Sequence, residues 1–134
     1  MNRNYLTDLI RTIAEEHNYN FVLAHEHAIA GAVRAYPAAW LTPPVMLSKT
    51  GRRHGRIRYS VRLRLLAEGL RMPPPQRART AAAAEQELIE IFTELSTAGK
   101  VAVVDELRIT MSEFTLTPHG EMAATADAVV ETIY

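Results

Sequence analysis

Between residues 56 and 66 apolar and polar positions alternate without a break. Ile57, Tyr59, Val61, Leu63 and Leu65 fall on one side, and Arg56, Arg58, Ser60, Arg62 and Arg64 on the other. A two-residue period of this kind predicts a strand with one face in a core and one in water. Residues 4–17 carry a different period. Leu6, Leu9, Ile10, Ile13 and Ala14 recur at spacings of three and four, with Asp8, Arg11, Glu15 and Glu16 opposite, which predicts an amphipathic helix. Asn2 or Asn4 can cap it, and Asn18 and Asn20 end it. A second helix is expected over 81–98, capped by Thr80, with Ala81, Ala84, Leu88, Ile91, Phe92 and Leu95 as its buried stripe. Glu85, Glu87, Glu90 and Glu94 lie largely on its wet side.

The remaining segments are shorter or less regular. Residues 21–25 read as a short strand, and the alanine-rich 27–36 as a helical turn or a loop ended by Pro37. Residues 40–47 read as a strand that Pro43 and Pro44 confine to an edge or a bend. The segment SKTGRRHGR holds two glycines and five basic or imidazole side chains, which predicts a solvated hairpin tip. Gly69 and Pro73-Pro74-Pro75 place 67–79 in a loop. Two strands close the chain, over 101–115 and 121–134, joined by a turn at Pro118-His119-Gly120. Together these predict one α+β domain over 1–134, an antiparallel sheet of about four to five strands with two main helices on one face.

Composition narrows the function. The 134 residues contain no cysteine, which removes disulfides, thiolate catalysis and thiolate zinc sites. No apolar run approaches the roughly 20 residues of a membrane helix. Asp8 and Arg11 interrupt the N-terminal segment where a signal peptide needs a continuous apolar core, so a cytoplasmic chain is expected. Net charge is zero, yet ten basic residues lie between Lys49 and Arg79 against one acid, Glu68. The rest of the chain holds five basic residues and fourteen acids, so a block of +9 faces a remainder of −9. Equal and opposite blocks suit charges satisfied internally or against copies of the same chain. Thirteen of the fifteen basic residues are arginine, the side chain whose planar fork binds carboxylates at two points.

Candidate chemistry is sparse. His25 and His27, two apart on a strand, would stand on one face about 6–7 Å apart. They could begin a metal site completed by His17, His54 or a carboxylate, or be partly exposed histidines at a strand end. No serine sits in a nucleophile elbow. GRRHGRIRYS lacks the ending of a phosphate-binding loop and opens a strand. Asp105 and Glu106 would point to opposite faces. Catalytic residues, cofactor and small-molecule substrate are therefore not expected. The arginine face of Arg56, Arg58, Arg62 and Arg64, with Arg52, Arg53 and His54 at the tip, has three readings. It is a solvated outer face, a contact for nucleic-acid backbone, or a docking surface for an acidic subunit surface such as the helix bearing Glu87, Glu90 and Glu94. Trp40 among prolines reads as core packing or as an interface anchor.

An N-terminal amphipathic helix, the segment YPAAWLTPPV, an arginine-bearing hairpin, a proline loop, a second helix and a closing hairpin ending in VVETIY follow in that order. Over nearly the whole chain this order resembles the tail-terminator and minor-tail proteins of long-tailed phages and prophages, of the lambda type. The resemblance implies a small α+β structural protein without catalytic residues. It implies assembly into a homo-oligomeric ring, typically a hexamer, that caps the tail tube and meets the head connector. Assembly would take place in the cytoplasm and the product would reside in the virion. A ring around a DNA channel would also let an arginine face contact DNA.

Overall fold

A computed structural model describes residues 2–68, 72–114 and 120–134. The elements follow the order α1 (Asn2–Glu16), β1 (Asn20–Leu23), a 3-10 helix (Glu26–Gly31), β2 (Ala38–Gly51), β3 (Gly55–Glu68), α2 (Pro74–Ser96), β4 (Val101–Phe114) and β5 (Glu121–Ile133). The five strands form one sheet in the order β1-β2-β3-β5-β4. This is the expected α+β class with one correction. β1 pairs with β2 in parallel, through Asn20–Ala38 to Leu23–Leu41, so the sheet is mixed. The chain between β1 and β2, with its 3-10 helix, is the crossover that parallel pairing requires.

The alternation of β3 sets the layers. Tyr59, Val61, Leu63 and Leu65 are buried beneath α1 and α2, as are Ala124, Ala126, Ala128 and Val130 of the adjoining β5. The alanines of β5 leave room for the larger stripes of the helices: Leu6, Ile10, Ile13 and Ala14 from α1, and Leu88, Ile91, Phe92 and Leu95 from α2. Small against large is the packing that brings interiors to native density.

α1 ends as its asparagines predict. Asn18 adopts a left-handed conformation, φ 67°. The N–H groups of Asn18 and Tyr19 return to the carbonyls of Glu15 and Ala14, a Schellman stop in which asparagine can stand for glycine. Asn2 does not cap. It lies inside the helix, and its amide donates to Thr132 Oγ1 at 2.9 Å and to the Ile133 carbonyl, tying α1 to β5. The start of α2 differs more from expectation. The helix begins at Pro74, seven residues before the predicted 81, with Pro73 extended as its N-cap. Proline breaks a helix interior but suits the first turn, where its missing N–H would have no intrahelical partner and its φ is already helical. Gly69, Arg71 and the predicted turn at Pro118 and His119 lie outside the described residues.

Pro43 and Pro44 also find a tolerated place. β1 pairs with β2 only as far as Leu41, so the prolines lie where β2 has no outer strand neighbour, inside a bulge between Thr42 and Val45. A second small core, unpredicted, sits on the opposite face of the sheet. Ala24 and Ile29 cover Ala38, Trp40, Leu66 and Ala123 there. Trp40 is 1 % exposed, and its indole N–H donates to the Ala24 carbonyl at 2.8 Å, which answers the Trp40 question in favour of the core. No described helix is long and apolar enough to cross a membrane.

Leu63, wholly buried at the centre of the sheet, should cost about 2–5 kcal/mol as Leu63→Ala. Leu47→Ala, at a half-exposed site, should cost less than about 1 kcal/mol in the same urea titrations.

Candidate functional site

The β2–β3 hairpin carries the arginines, and its tip is tightly built. Gly51 (φ 89°) pairs with Gly55, and only 52–54 protrude. A Cβ at Gly55 would collide with the Thr50 carbonyl, and one at Gly51 with that of His54. Both positions therefore require glycine. Tyr134 braces the tip from behind. Tyr134 exchanges backbone hydrogen bonds with Gly55, its hydroxyl donates to the Thr50 carbonyl at 2.7 Å, and the Lys49 ammonium lies 5.0 Å from its ring centre. Arg52, Arg53 and His54 are exposed on a fixed turn.

The arginine row does not form one cationic surface. Arg62 donates through Nε to Asp127 at 2.6 Å and through Nη1 to Glu26 at 3.2 Å. Arg64 was expected on the solvated face, but it is 6 % exposed. Its guanidinium lies 4.1 Å from the Trp40 ring centre and donates to Glu26 at 2.7 Å. Those bonds, from Arg64 first and Arg62 second, hold the Glu26 carboxyl below the ordinary carboxylate range. Glu26 opens the 3-10 helix, so this cluster pins the crossover segment onto the sheet. Arg56 approaches Glu131 at 3.7 Å, and Arg77 pairs with Glu113. Among the described residues Arg3, Arg34, Lys49, Arg52, Arg53, Arg58, Arg79, Lys100 and Arg108 make no ion pair, and Lys49, Arg52, Arg53 and Arg58 of these lie on the hairpin.

The predicted acidic counterpart on α2 is also partly engaged. His17, just beyond α1, donates through Nδ1 to Glu87 at 2.6 Å and through Nε2 to Glu94 at 2.9 Å. Glu90 accepts from Gln86. Partial burial pushes the His17 pKa down, but the hydrogen bonds and charges of Glu94 and Glu87 outweigh it, and the net shift is upward. Burial, with Glu87 nearby, also pushes the Tyr19 hydroxyl up to about 12. Glu87 and Glu94 thus clamp the end of α1 to α2, while Glu90 bonds only within its own helix.

One ligand atom each of His17, Glu87 and Glu90 lie within 4.8 Å of one another. Both ring nitrogens of His17 are already engaged by carboxylates, so a cation would have to displace the clamp. His25 and His27 are not on a strand; they flank the start of the 3-10 helix. Their rings stack at 5.7 Å and 12°, which turns faces rather than lone pairs toward each other. Among the described residues they join no group of three metal-binding side chains.

Sequence reasoning missed one buried pair. Glu121 is fully buried at the start of β5 and accepts from the Tyr36 hydroxyl at 2.6 Å; burial first, and this bond second, raise the tyrosine's pKa. No local spacing links residues 85 apart.

The raised pKa of His17 carries a sign. Stability from the clamp is complete below the unfolded value of 6.5 and is lost as pH rises through the higher folded value. Urea midpoints should fall from mildly acid to mildly alkaline pH, and His17→Gln should flatten that dependence; an unchanged slope in the variant contradicts the assignment. No protein-family model and no curated protein matches this chain.

Proposed function

We propose that this chain is a structural, non-catalytic subunit that assembles with copies of itself into a tail-terminator-like ring. Such a ring would cap a tail tube, with tail-tube protein on one side and the head connector on the other. Assembly would occur in the cytoplasm, and the ring would remain in the virion.

The observation that carries this reading is the charge left over after internal pairing. Arg62, Arg64 and Arg77 are held by carboxylates of their own chain. Lys49, Arg52, Arg53 and Arg58 are not, and they gather at one end of one hairpin. Asp105 and Glu106 also lack a described ion pair and lie on β4, at the far edge of the sheet. A neutral molecule with opposite charges on separated surfaces favours contact between one surface of a subunit and a different surface of the next, the geometry of rings. Exposed ion pairs contribute little energy individually; their part is to steer and orient. The resemblance in element order supplies the specific setting.

A second reading has its own support. The free guanidinium groups at the tip could contact nucleic-acid phosphates, alone or inside a ring that surrounds DNA.

Light scattering should find a multimer whose population rises with concentration; a monomer at every concentration and salt contradicts the assembly reading. DNA affinity that falls steeply with salt and disappears in Arg52→Glu/Arg53→Glu, with no self-association, would favour the second reading instead.

A further inference from the structure

Three carboxylates of α2 share a single imidazole. Glu87, Glu90 and Glu94 recur at spacings of three and four, which brings them to one helical face. Among the described residues Glu87 and Glu94 pair only with His17, and Glu90 makes no ion pair. Its hydrogen bond from Gln86 is to a neutral group. His17 enters from the end of α1, where its backbone N–H donates to the Ile13 and Ala14 carbonyls. Its side chain is 15 % exposed, so the imidazole is held from behind and faces the acids.

The two ring nitrogens are not equivalent. Nε2 lies 2.9 Å from Glu94, and Nδ1 lies 2.6 Å from Glu87. A neutral imidazole has a single N–H. With that proton on Nε2, the Nδ1 lone pair meets a carboxylate with nothing between them. A second proton can fill that place, which gives the double clamp, and so can a divalent cation. A further carboxylate stands ready for it: one ligand atom each of His17, Glu87 and Glu90 lie within 4.8 Å of one another. Ligand atoms around a tetrahedral zinc ion stand about 3.3 Å apart, a gap that the exposed Glu90 can close by turning about its own side-chain bonds. Glu94 lies outside that trio and engages the other nitrogen. A carboxylate behind a ligating histidine is the usual device for fixing its tautomer and ring orientation in metal sites. The cation therefore displaces only the Nδ1 half of the clamp.

We propose that His17 Nδ1, Glu87 and Glu90 bind one divalent transition-metal ion of the zinc type, with Glu94 as the positioning residue behind His17. One imidazole nitrogen with two carboxylates suits Zn2+, whereas an all-oxygen set would suit Mg2+ or Ca2+. Three protein ligands leave a position for water. His17 belongs to the end of α1 and both glutamates to α2, so the ion links the two helices that cover the sheet. No residue of the β2–β3 hairpin takes part. The site goes beyond the assembly reading and holds or fails independently of it.

The test uses the full-length protein, stripped with EDTA, dialysed into metal-free buffer at mildly alkaline pH and titrated calorimetrically with ZnCl2. Wild type should bind zinc at least about tenfold more tightly than Mg2+ or Ca2+. Glu90→Gln is the decisive variant, because Glu90 takes no part in the His17 clamp. Its metal-free urea midpoint should match that of wild type, while its zinc affinity falls about tenfold or more. The rise in urea midpoint that zinc gives wild type should disappear with it. Glu94→Gln should weaken zinc by about 10–100-fold. Glu85→Gln, at an exposed acid of α2 outside the trio, should leave the affinity unchanged. Zinc binding that survives both Glu90→Gln and His17→Gln, or that is lost in His25→Ala/His27→Ala, places the ion on other side chains and overturns the proposal. An equal loss in Glu85→Gln, or a wild type that binds no zinc, overturns it as well.

Discussion

β3 does two jobs with one two-residue period, and the rest of the molecule is arranged around that. Its odd-numbered side, Tyr59 to Leu65, forms the floor on which both helices rest. Its even-numbered side carries arginines that must stay in water or be matched with carboxylates. A slip of one residue in its pairing would exchange the two sets. The partner that holds this register is β5, which pairs with β3 over the full length from Arg56–Ile133 to Glu68–Glu121 and answers the leucines with alanines. With larger residues on β5 the helices could not settle as closely; with a polar set there would be no core.

The same constraint accounts for what was legible in the sequence. β3 and α1 were readable because each has one apolar face and one polar face, and the two helical stripes fell where their periods placed them. The beginning of α2 was hidden by chemistry that points both ways, since a proline triplet ends most patterns and yet fits a first helical turn. The small second core had a faint signal in Leu65-Leu66, two successive apolar residues where the alternation should have returned to polar. Leu66 is buried on the arginine side, and Trp40 beside it turns Arg64 into a buried stacking partner. His17 gave no signal. A lone histidine after a helix acquires meaning only when Glu87 and Glu94, at least 70 residues away, fold against it.

The candidate surface was half legible. Clustering of arginine in one hairpin follows from counting residues; which arginines remain available does not. Arg62 and Arg64 hold Glu26 and Asp127 and so serve the fold, anchoring the crossover that brings β1 beside β2. The available positive charge moves to the braced tip, next to a stretch of β2 that neither β1 nor the helices cover. Apolar edge and cationic tip are thus one continuous surface. The separation of charge persists in the folded molecule on a smaller and better-defined surface than composition alone implies.

Amide hydrogen exchange as a function of protein concentration tests this picture most directly. Main-chain N–H groups of the hairpin tip and of the open side of 45–49 should exchange freely in dilute protein and become protected as assembly proceeds, while α2's outer face stays unchanged. Protection that appears on α2 or on the 3-10 segment, with the tip and the 45–49 edge still exchanging freely in the assembled protein, would contradict it.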